Sequence, residues 1–444
     1  GSGKRAEQAG DTGVGPIAQD ILNGEYNQQI AELHTEAITF LDSIRKPDVP
    51  AISITITLAQ AIHCYTKWRE STSTSPSGRH LGHYIALAKT KDLLAPIVHI
   101  MNLALRHGIS LQRWHKSTMC MIEKDVGRPK LHRLRLIHLF EADLNGIAKI
   151  IWGRRSIYHA LEHNRINPNQ HGGIPGRETQ HVLLKFRMTA DSSTIMRNNL
   201  ALHNNDAMAC YDRILQFING IIQQSNGMPA SAVKMQGDCL LHMEYSARTA
   251  HGTSTQSWGN SADDQKAGLG QGNGWSPPNW AGISSKMIEV HETISKCGMT
   301  VQHPNGDSTT YRTIDAYVDD ANNGANDAHT PNGMNPIDLV YNLQMSSQQW
   351  ERLLHITGGA LELNKCFWSL LSWKWSNAMP EPTTIDDIPC DITIEQSETS
   401  QPVTIKRLES NQPFKLLGVQ VQLQGPMETN FNKIEAKART LARK

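Results

Sequence analysis

An apolar run, Thr310–Tyr317, leads straight into two adjacent acids, Asp319 and Asp320, with the turn formers Asn322, Asn323 and Gly324 just beyond. Upstream, Val301-Gln-His and then Pro304-Asn-Gly-Asp307 complete a strand, turn, strand pattern in which Asn-Gly supplies the tight turn. The two carboxylates are therefore expected at a hairpin tip, where they repel each other. A hard divalent cation offsets that repulsion, and Mg²⁺ is typically held by one or two carboxylates together with substrate phosphates. From this tetrapeptide alone, a solvated acidic turn is the competing reading.

Two further elements bear on the choice. In Asp206-Ala-Met-Ala-Cys-Tyr211-Asp212, an acid precedes an aromatic residue by five positions, and strand alternation would put Asp206 and Cys210 on one face. Joined to Asp319 and Asp320, Asp206 would give three carboxylates able to bridge two metals about 3.5–4 Å apart, the arrangement for in-line phosphoryl transfer. Alone, it is as well explained as a turn or cap residue. In Gln271-Gly272-Asn-Gly-Trp-Ser276-Pro277, Ser276 suits a helix cap and Pro277 a first helical position, ahead of an apolar helix at Pro278–Cys297. Gln271 and Gly272 need another reason: glycine admits close backbone approach, and amides at a helix start suit a phosphate or a base pair.

The 444 residues imply two or three subdomains. Hydrophobic residues at 39% and charged residues at 19% exclude a membrane protein and a disordered chain, and no run of about 18 apolar residues or N-terminal signal is present. An intracellular protein is expected, in nucleus or cytoplasm alike. Seven scattered cysteines without a Cys-x-x-Cys pair argue against a zinc ribbon or a disulfide framework. A net charge of +1 hides a local excess: residues 113–135 carry Arg113, Lys116, Lys124, Arg128, Lys130, Arg133 and Arg135 against Glu123 and Asp125. Such a run neutralises phosphates or is simply solvated surface. His80-Leu-Gly-His83 is the best local histidine pair, and without further ligands it reads as surface or hydrogen-bonded histidine.

Helical periodicity covers Ile30–Ile44 and Ala86–Arg106, with Pro96 a kink or restart. The intervening Glu70–Arg79 segment is Ser/Thr-rich, a plain loop or a phosphate contact. Met119–Ile122 and Leu134–Leu139 flank a charged turn and predict a hairpin with basic residues at its tip. Helices follow at Ala142–Glu162, Glu178–Met196 and Pro336–Ile356, the last after a loop at Asn322–Asn335, and Met379–Gln412 reads as an inserted excursion.

The order Asp206, Gln271, Asp319-Asp320 resembles the reverse transcriptase family, of the non-long-terminal-repeat retrotransposon kind, over about residues 70–425. That resemblance implies an α+β right-hand polymerase fold, with fingers and a palm whose antiparallel sheet packs on helices and with a truncated thumb. The implied segments are 1–25 unstructured, 26–112 a helical N-terminal region, 113–200 fingers, 201–425 palm and 426–444 the start of a thumb or connection. It further implies an RNA-directed DNA polymerase using two Mg²⁺ ions, with Mn²⁺ as a substitute, held by Asp206, Asp319 and Asp320. Tyr211 would exclude the ribose 2′-hydroxyl, Gln271 and Gly272 would line the nucleotide pocket, and Lys124 and Arg135 would hold the triphosphate. Gln170 and Arg177, in Gln170-His-Gly-Gly-Ile-Pro-Gly-Arg177, would contact the template. Lys365 would be a general acid toward pyrophosphate, and Leu417 and Gly418 would belong to the primer grip.

The partners implied are an RNA or DNA template with its primer, deoxynucleoside triphosphates, no membrane, and further polyprotein domains outside this chain. The sequence departs from the family in the polar strand His203-Asn204-Asn205, in Arg-Leu-Ile for Arg-Pro-Ile at Arg135, and in the compressed spacing around Lys365. The rival readings are an RNA-dependent RNA polymerase, against which Tyr211 stands, and an inert nucleic-acid-binding relative, against which the retained carboxylates stand.

Overall fold

The computed structural model describes residues 12–25, 34–45, 49–69, 75–124, 127, 130, 134–249, 251–259, 268–303, 305–330 and 332–425, with 435 and 439. It is a mixed α/β chain of helices and several sheets. Contacts group it into two compact units, residues 1–166 with 209–286 and residues 167–208 with 287–444. The chain thus passes from one to the other at 166, 208 and 286. Among the described residues no helix is long and apolar enough to cross a membrane.

The first unit carries a five-stranded sheet. Its strand Lys116–Glu123 pairs antiparallel with Leu134–Leu139, bringing Ile122 opposite Arg135, and parallel with Glu244–Thr249, bringing Lys116 opposite Glu244. The expected hairpin is present; most of its charged tip lies outside the described residues. Three fully buried tryptophans, Trp114, Trp152 and Trp275, anchor the core, with Trp275 set edge-on against Phe140 and Trp152 at 5.9 and 5.8 Å. The expected helix at 86–106 is two helices, Leu81–Ala88 and Lys91–His107; the break falls at Lys89-Thr90, and Pro96 lies inside the second helix. The polar start also departs from expectation: Pro16–Asn23 is a helix whose Ala18, Ile21 and Leu22 are buried, while residues 1–11 lie outside the described residues. Pro16 opens it and Gly24 closes it in the left-handed conformation, the usual asymmetry of helix ends.

The second unit is built on a six-stranded sheet ordered Ile392–Gln396, Gln401–Leu408, Phe367–Leu371, Leu200–Asp206, Asp320–Asn326, Ile314–Tyr317. Much of the segment read as an inserted excursion is instead part of this sheet, since Gln401–Leu408 pairs parallel with Phe367–Leu371 and Ile392–Gln396 folds back on it, while Met379–Pro382 pairs with Trp373–Ser376 in a separate two-stranded sheet. Asn322, Asn323 and Gly324 are likewise strand residues and not turn formers. Strand pleating divides the central pair into two faces. On one, Leu200 and Leu202 join Phe186, Ala190, Met299, Phe414, Leu416 and Val421 in an apolar cluster beneath the helix Thr179–Met196 and the hairpin Phe414–Val421.

On the other face the polar stretch finds its partners. Asn205 Nδ2 donates to Asn323 Oδ1 at 2.5 Å, and Asn323 Nδ2 donates to Ser346 Oγ at 3.3 Å on the helix Pro336–Ile356. Beside it, buried His291 donates from Nε2 to the Ser346 carbonyl at 2.9 Å and accepts from Thr313 Oγ1 at 2.8 Å on Nδ1. Burial pushes His291 down to about 4, so this neutral tautomer holds at physiological pH. The departure at His203-Asn204-Asn205 is therefore hydrogen-bonded at two of its three residues, Asn205 in this layer and Asn204 on the Leu202 face, where it donates to Asn322 at 2.8 Å. His203 differs: fully buried, it finds no partner among the described residues and is pushed down to about 3. Asn205→Leu should cost about 1–3 kcal/mol in urea unfolding by orphaning Asn323, and adding Asn323→Leu should recover part of that loss.

Candidate functional site

The acidic tip is a two-residue turn. Tyr317 pairs directly with Asp320, leaving Val318 and Asp319 as the loop, and Val318 alone of the two takes a positive φ, 58°. That position in a hairpin normally belongs to glycine, and for a β-branched residue it is a strained one, with a cost of about 1–3 kcal/mol. Gln170 holds it in place. Its Oε1 accepts from the Val318 amide at 3.2 Å and from Gly172 at 2.7 Å, while its Nε2 donates to the Val318 carbonyl at 3.4 Å. Gly172 must be glycine for this contact, because a Cβ there would lie 2.0 Å from the Val318 nitrogen. Gln170 is 0% exposed, so it positions the turn from beneath and has no face to offer a template. Arg177, expected beside it at the template, turns Nη1 back onto the carbonyls of Asn167 and Gln170 at 2.6 and 2.5 Å.

Antiparallel pairing then sets Asp206 directly opposite Asp320. Directly paired residues share a face with Cα atoms about 4.5–5.5 Å apart, and like charges so placed are destabilising. Partial burial first, then Asp319 and Asp206, raises the Asp320 carboxyl to about 6; Lys415 acts in the opposite direction. Its outer edge nonetheless stays in contact with solvent. The main chain of Asp206 is held by the segment that carries Lys365: Glu362 donates its amide to the Asp206 carbonyl at 2.8 Å, and the Asp206 amide donates to Cys366 Sγ at 3.5 Å. Lys365 Nζ, exposed, lies 3.6 Å from Asp206 Oδ1. The strand does not extend to Cys210, so the expected shared face with Asp206 is absent; Ala209 is left-handed and Cys210–Arg213 is a short helix.

Leu417 and Gly418 form the tip of the hairpin Phe414–Val421, both at positive φ, 47° and 89°, the type I′ pattern. Lys415, between buried Phe414 and Leu416, is the cation of this hairpin that bears on Asp320. The sequence reading passed over Lys415, although its alternation with two apolar neighbours was the available signal.

The remaining candidates lie in the first unit and gather there around the Leu134–Leu139 strand. The His138 amide donates to the Gln271 carbonyl at 2.7 Å, and a Cβ on Gly272, at φ 114°, would lie 2.8 Å from the His138 carbonyl oxygen. The Leu269 amide donates to the Tyr211 carbonyl at 2.7 Å, and burial raises the Asp212 carboxyl while the Gln271 amide acts against that rise. Tyr211 stands edge-on to Trp280 at 6.5 Å. Lys124 and Arg135 are exposed. Arg113 is not available to phosphate: it grips buried Asp143 with both terminal nitrogens, one at 2.8 Å, and lies 3.5 Å from buried Glu141. Glu141 also accepts from the amide and hydroxyl of Ser77, anchoring the Ser/Thr-rich segment. The helix cap after Gln271 is Asn273, whose Oδ1 accepts from the Trp275 and Ser276 amides at 2.9 Å; Ser276 donates back to the Leu269 and Gly270 carbonyls. His80 and His83 spend Nδ1 atoms on a capping box.

No family model and no curated protein matches this chain.

Two outcomes test this geometry. Gly172→Ala should destabilise the protein by about 1–3 kcal/mol in thermal unfolding, whereas Val318→Gly should hold or raise stability by relieving strain. For Asp320 the folded pKa lies above the ordinary carboxylate value, so its contribution is full below about pH 4 and is lost as pH rises through about 6. In chelator, wild type should therefore lose on the order of 1 kcal/mol between about pH 4 and 7 relative to Asp320→Asn, a figure discounted for solvent screening.

Proposed function

We propose that this chain is an RNA-directed DNA polymerase that extends a primer 3′-hydroxyl by metal-assisted phosphoryl transfer, its six-stranded sheet serving as the palm and its basic hairpin as the fingers of a right-hand fold. The observation that carries the reading is the register that sets Asp206 opposite Asp320 with Asp319 at the adjacent turn.

The donor set fits Mg²⁺. Asp206 and Asp320 face each other at the ends of two neighbouring central strands with Asp319 in the adjoining turn, and after burial it is the neighbouring Asp319 and Asp206 that raise the Asp320 carboxyl, a repulsion that a cation would neutralise. Asp206, Asp319 and Asp320 would hold the ions, which when bound activate the attacking hydroxyl and stabilise the leaving pyrophosphate. The chain's own groups do the rest. Gln170 and Gly172 fix the turn that carries Asp319. Lys365, beside Asp206, brings a proton suited to the departing pyrophosphate oxygen. Lys124 and Arg135 offer cations to the triphosphate, Gln271 and Gly272 pack against the strand that carries Arg135, and the Tyr211 ring is the group to exclude a 2′-hydroxyl. Template and primer are the partners of this reading, and an aromatic residue at Tyr211 favours deoxynucleotides over the RNA polymerase alternative.

Primer extension on an RNA template with Mg²⁺ tests it. Deoxynucleotides should be incorporated in preference to ribonucleotides, and Asp319→Asn should lower the rate at least about a hundredfold, equivalent to about 2.7 kcal/mol of transition-state stabilisation. Preference for ribonucleotides would replace the proposal with an RNA polymerase, and a folded, RNA-binding chain without extension would replace it with an inert relative.

A further inference from the structure

A second cluster of ligating side chains lies in the first unit, apart from the three carboxylates. His115 ends the short 3-10 turn Gln112–His115, immediately before the strand Lys116–Glu123. Asp238 stands in the last turn of the helix Ala230–Leu241 and His242 caps it, two residues before the strand Glu244–Thr249. One ligand atom from each of His115, Asp238 and His242 lies within 4.8 Å of the other two. We propose that these three residues bind a transition-metal dication, Zn²⁺ by preference, which clips together the starts of two parallel strands.

The chemistry of the donors supports this. Two imidazoles and a carboxylate form the three-ligand set of a four-coordinate zinc site, leaving one position for water. Asp238 and His242 are four apart and so project from one side of the helix end. The two imidazole rings already stack, 5.3 Å between centroids and 27° between planes. Zinc bonds of about 2.0–2.2 Å need the donors drawn closer than 4.8 Å, and His242, whose side chain is 61% exposed, has open solvent on one side to accommodate such a shift.

Present contacts orient the donors. The Ser110 hydroxyl bridges His115 Nε2 and Asp238, the Ser110 amide donates to Asp238 Oδ2 at 3.3 Å, and His242 Nδ1 lies 3.1 Å from Asp238 Oδ1 and 2.9 Å from its carbonyl oxygen. Hydroxyl and amide partners that fix a ligating carboxylate are the usual surroundings of such a site. The local field also favours a cation: a helix C-terminus carries partial negative charge, Asp238 in the last turn adds to it, and Glu244 follows, with exposed Lys116 opposite Glu244 as the nearby counter-charge.

Lys116 and Glu244 are paired in the sheet, so a metal on the residues just ahead of them closes the chain between 115 and 238 and fixes the parallel register. The inference does not rest on the polymerase reading. Its test uses the full chain stripped with chelator and titrated with Co²⁺, whose visible absorption reports the ligand set, followed by displacement with Zn²⁺. Wild type should take up a single strongly absorbing Co²⁺ that Zn²⁺ displaces, and Zn²⁺ should raise its unfolding temperature. His242→Gln and His115→Gln should lose both effects while matching the metal-free unfolding temperature of wild type, and Asp319→Asn should keep both. Equal Co²⁺ spectra in wild type and in exposed-site His242→Gln, or no Zn²⁺-dependent rise in unfolding temperature, would overturn the assignment.

Discussion

Two carboxylates are held face to face on neighbouring strands, and much of the second unit can be understood as the means of holding them there. Asp206 and Asp320 are a paired position in an antiparallel ladder, and Asp319 occupies the adjoining turn. Their mutual repulsion works against the pairing that creates it. The remainder of the ladder, from Asn205 opposite Ala321 to Leu200 opposite Asn326, resists that repulsion by hydrogen bonding and burial. The strain is concentrated at Val318, which keeps a conformation suited to glycine because Gln170 binds both its amide and its carbonyl. Neighbouring structure that over-determines a strained residue is the common condition for such strain to persist at a site.

The polar character of the Leu200–Asp206 strand follows from the same arrangement. An entirely apolar strand would pack as well near Leu200 and Leu202, but the register close to the carboxylates is specified by paired amides. A one-residue slip would send Asn205 to the apolar side and Leu202 toward His291 and Ser346, leaving several buried polar groups orphaned. The layer of Asn205, Asn323, Ser346, His291 and Thr313 therefore does for register what the apolar cluster on the opposite face does for stability. Lys365 and Lys415 supply the positive charge near the acids, one from the segment beside Asp206 and the other from the short hairpin after it.

Legibility in the sequence varied with the range of the interaction. The hairpin Lys116–Leu139, the helix Pro336–Ile356 and the helix Thr179–Met196 were visible because periodicity and turn chemistry are local. The Ser276 region was misread: serine is a common cap, but Asn273, three residues earlier, is the side chain that accepts from the amides at the helix start, those of Trp275 and Ser276. Pro96 was a plausible break, yet the helix Lys91–His107 carries it in its second turn and the interruption falls earlier, at Lys89-Thr90. The segment Met379–Gln412 looked like an excursion because its prolines and polar residues mask strand alternation, and the partner that makes it sheet, Phe367–Leu371, pairs with it in parallel.

What the sequence by itself determined was the identity of the acids, the apolar strand that delivers Tyr317 to the turn and the basic character of the first hairpin, all consequences of short-range pattern. The tertiary structure alone decided that Asp206 meets Asp320, that Gln170 lies buried beneath Val318 instead of facing outward, that Arg113 is committed to Asp143, and that His115 joins Asp238 and His242. Each of those relations connects residues from separate elements, where neither helical nor strand periodicity carries information, and each is set by strand register and by where a buried polar group can find its partner.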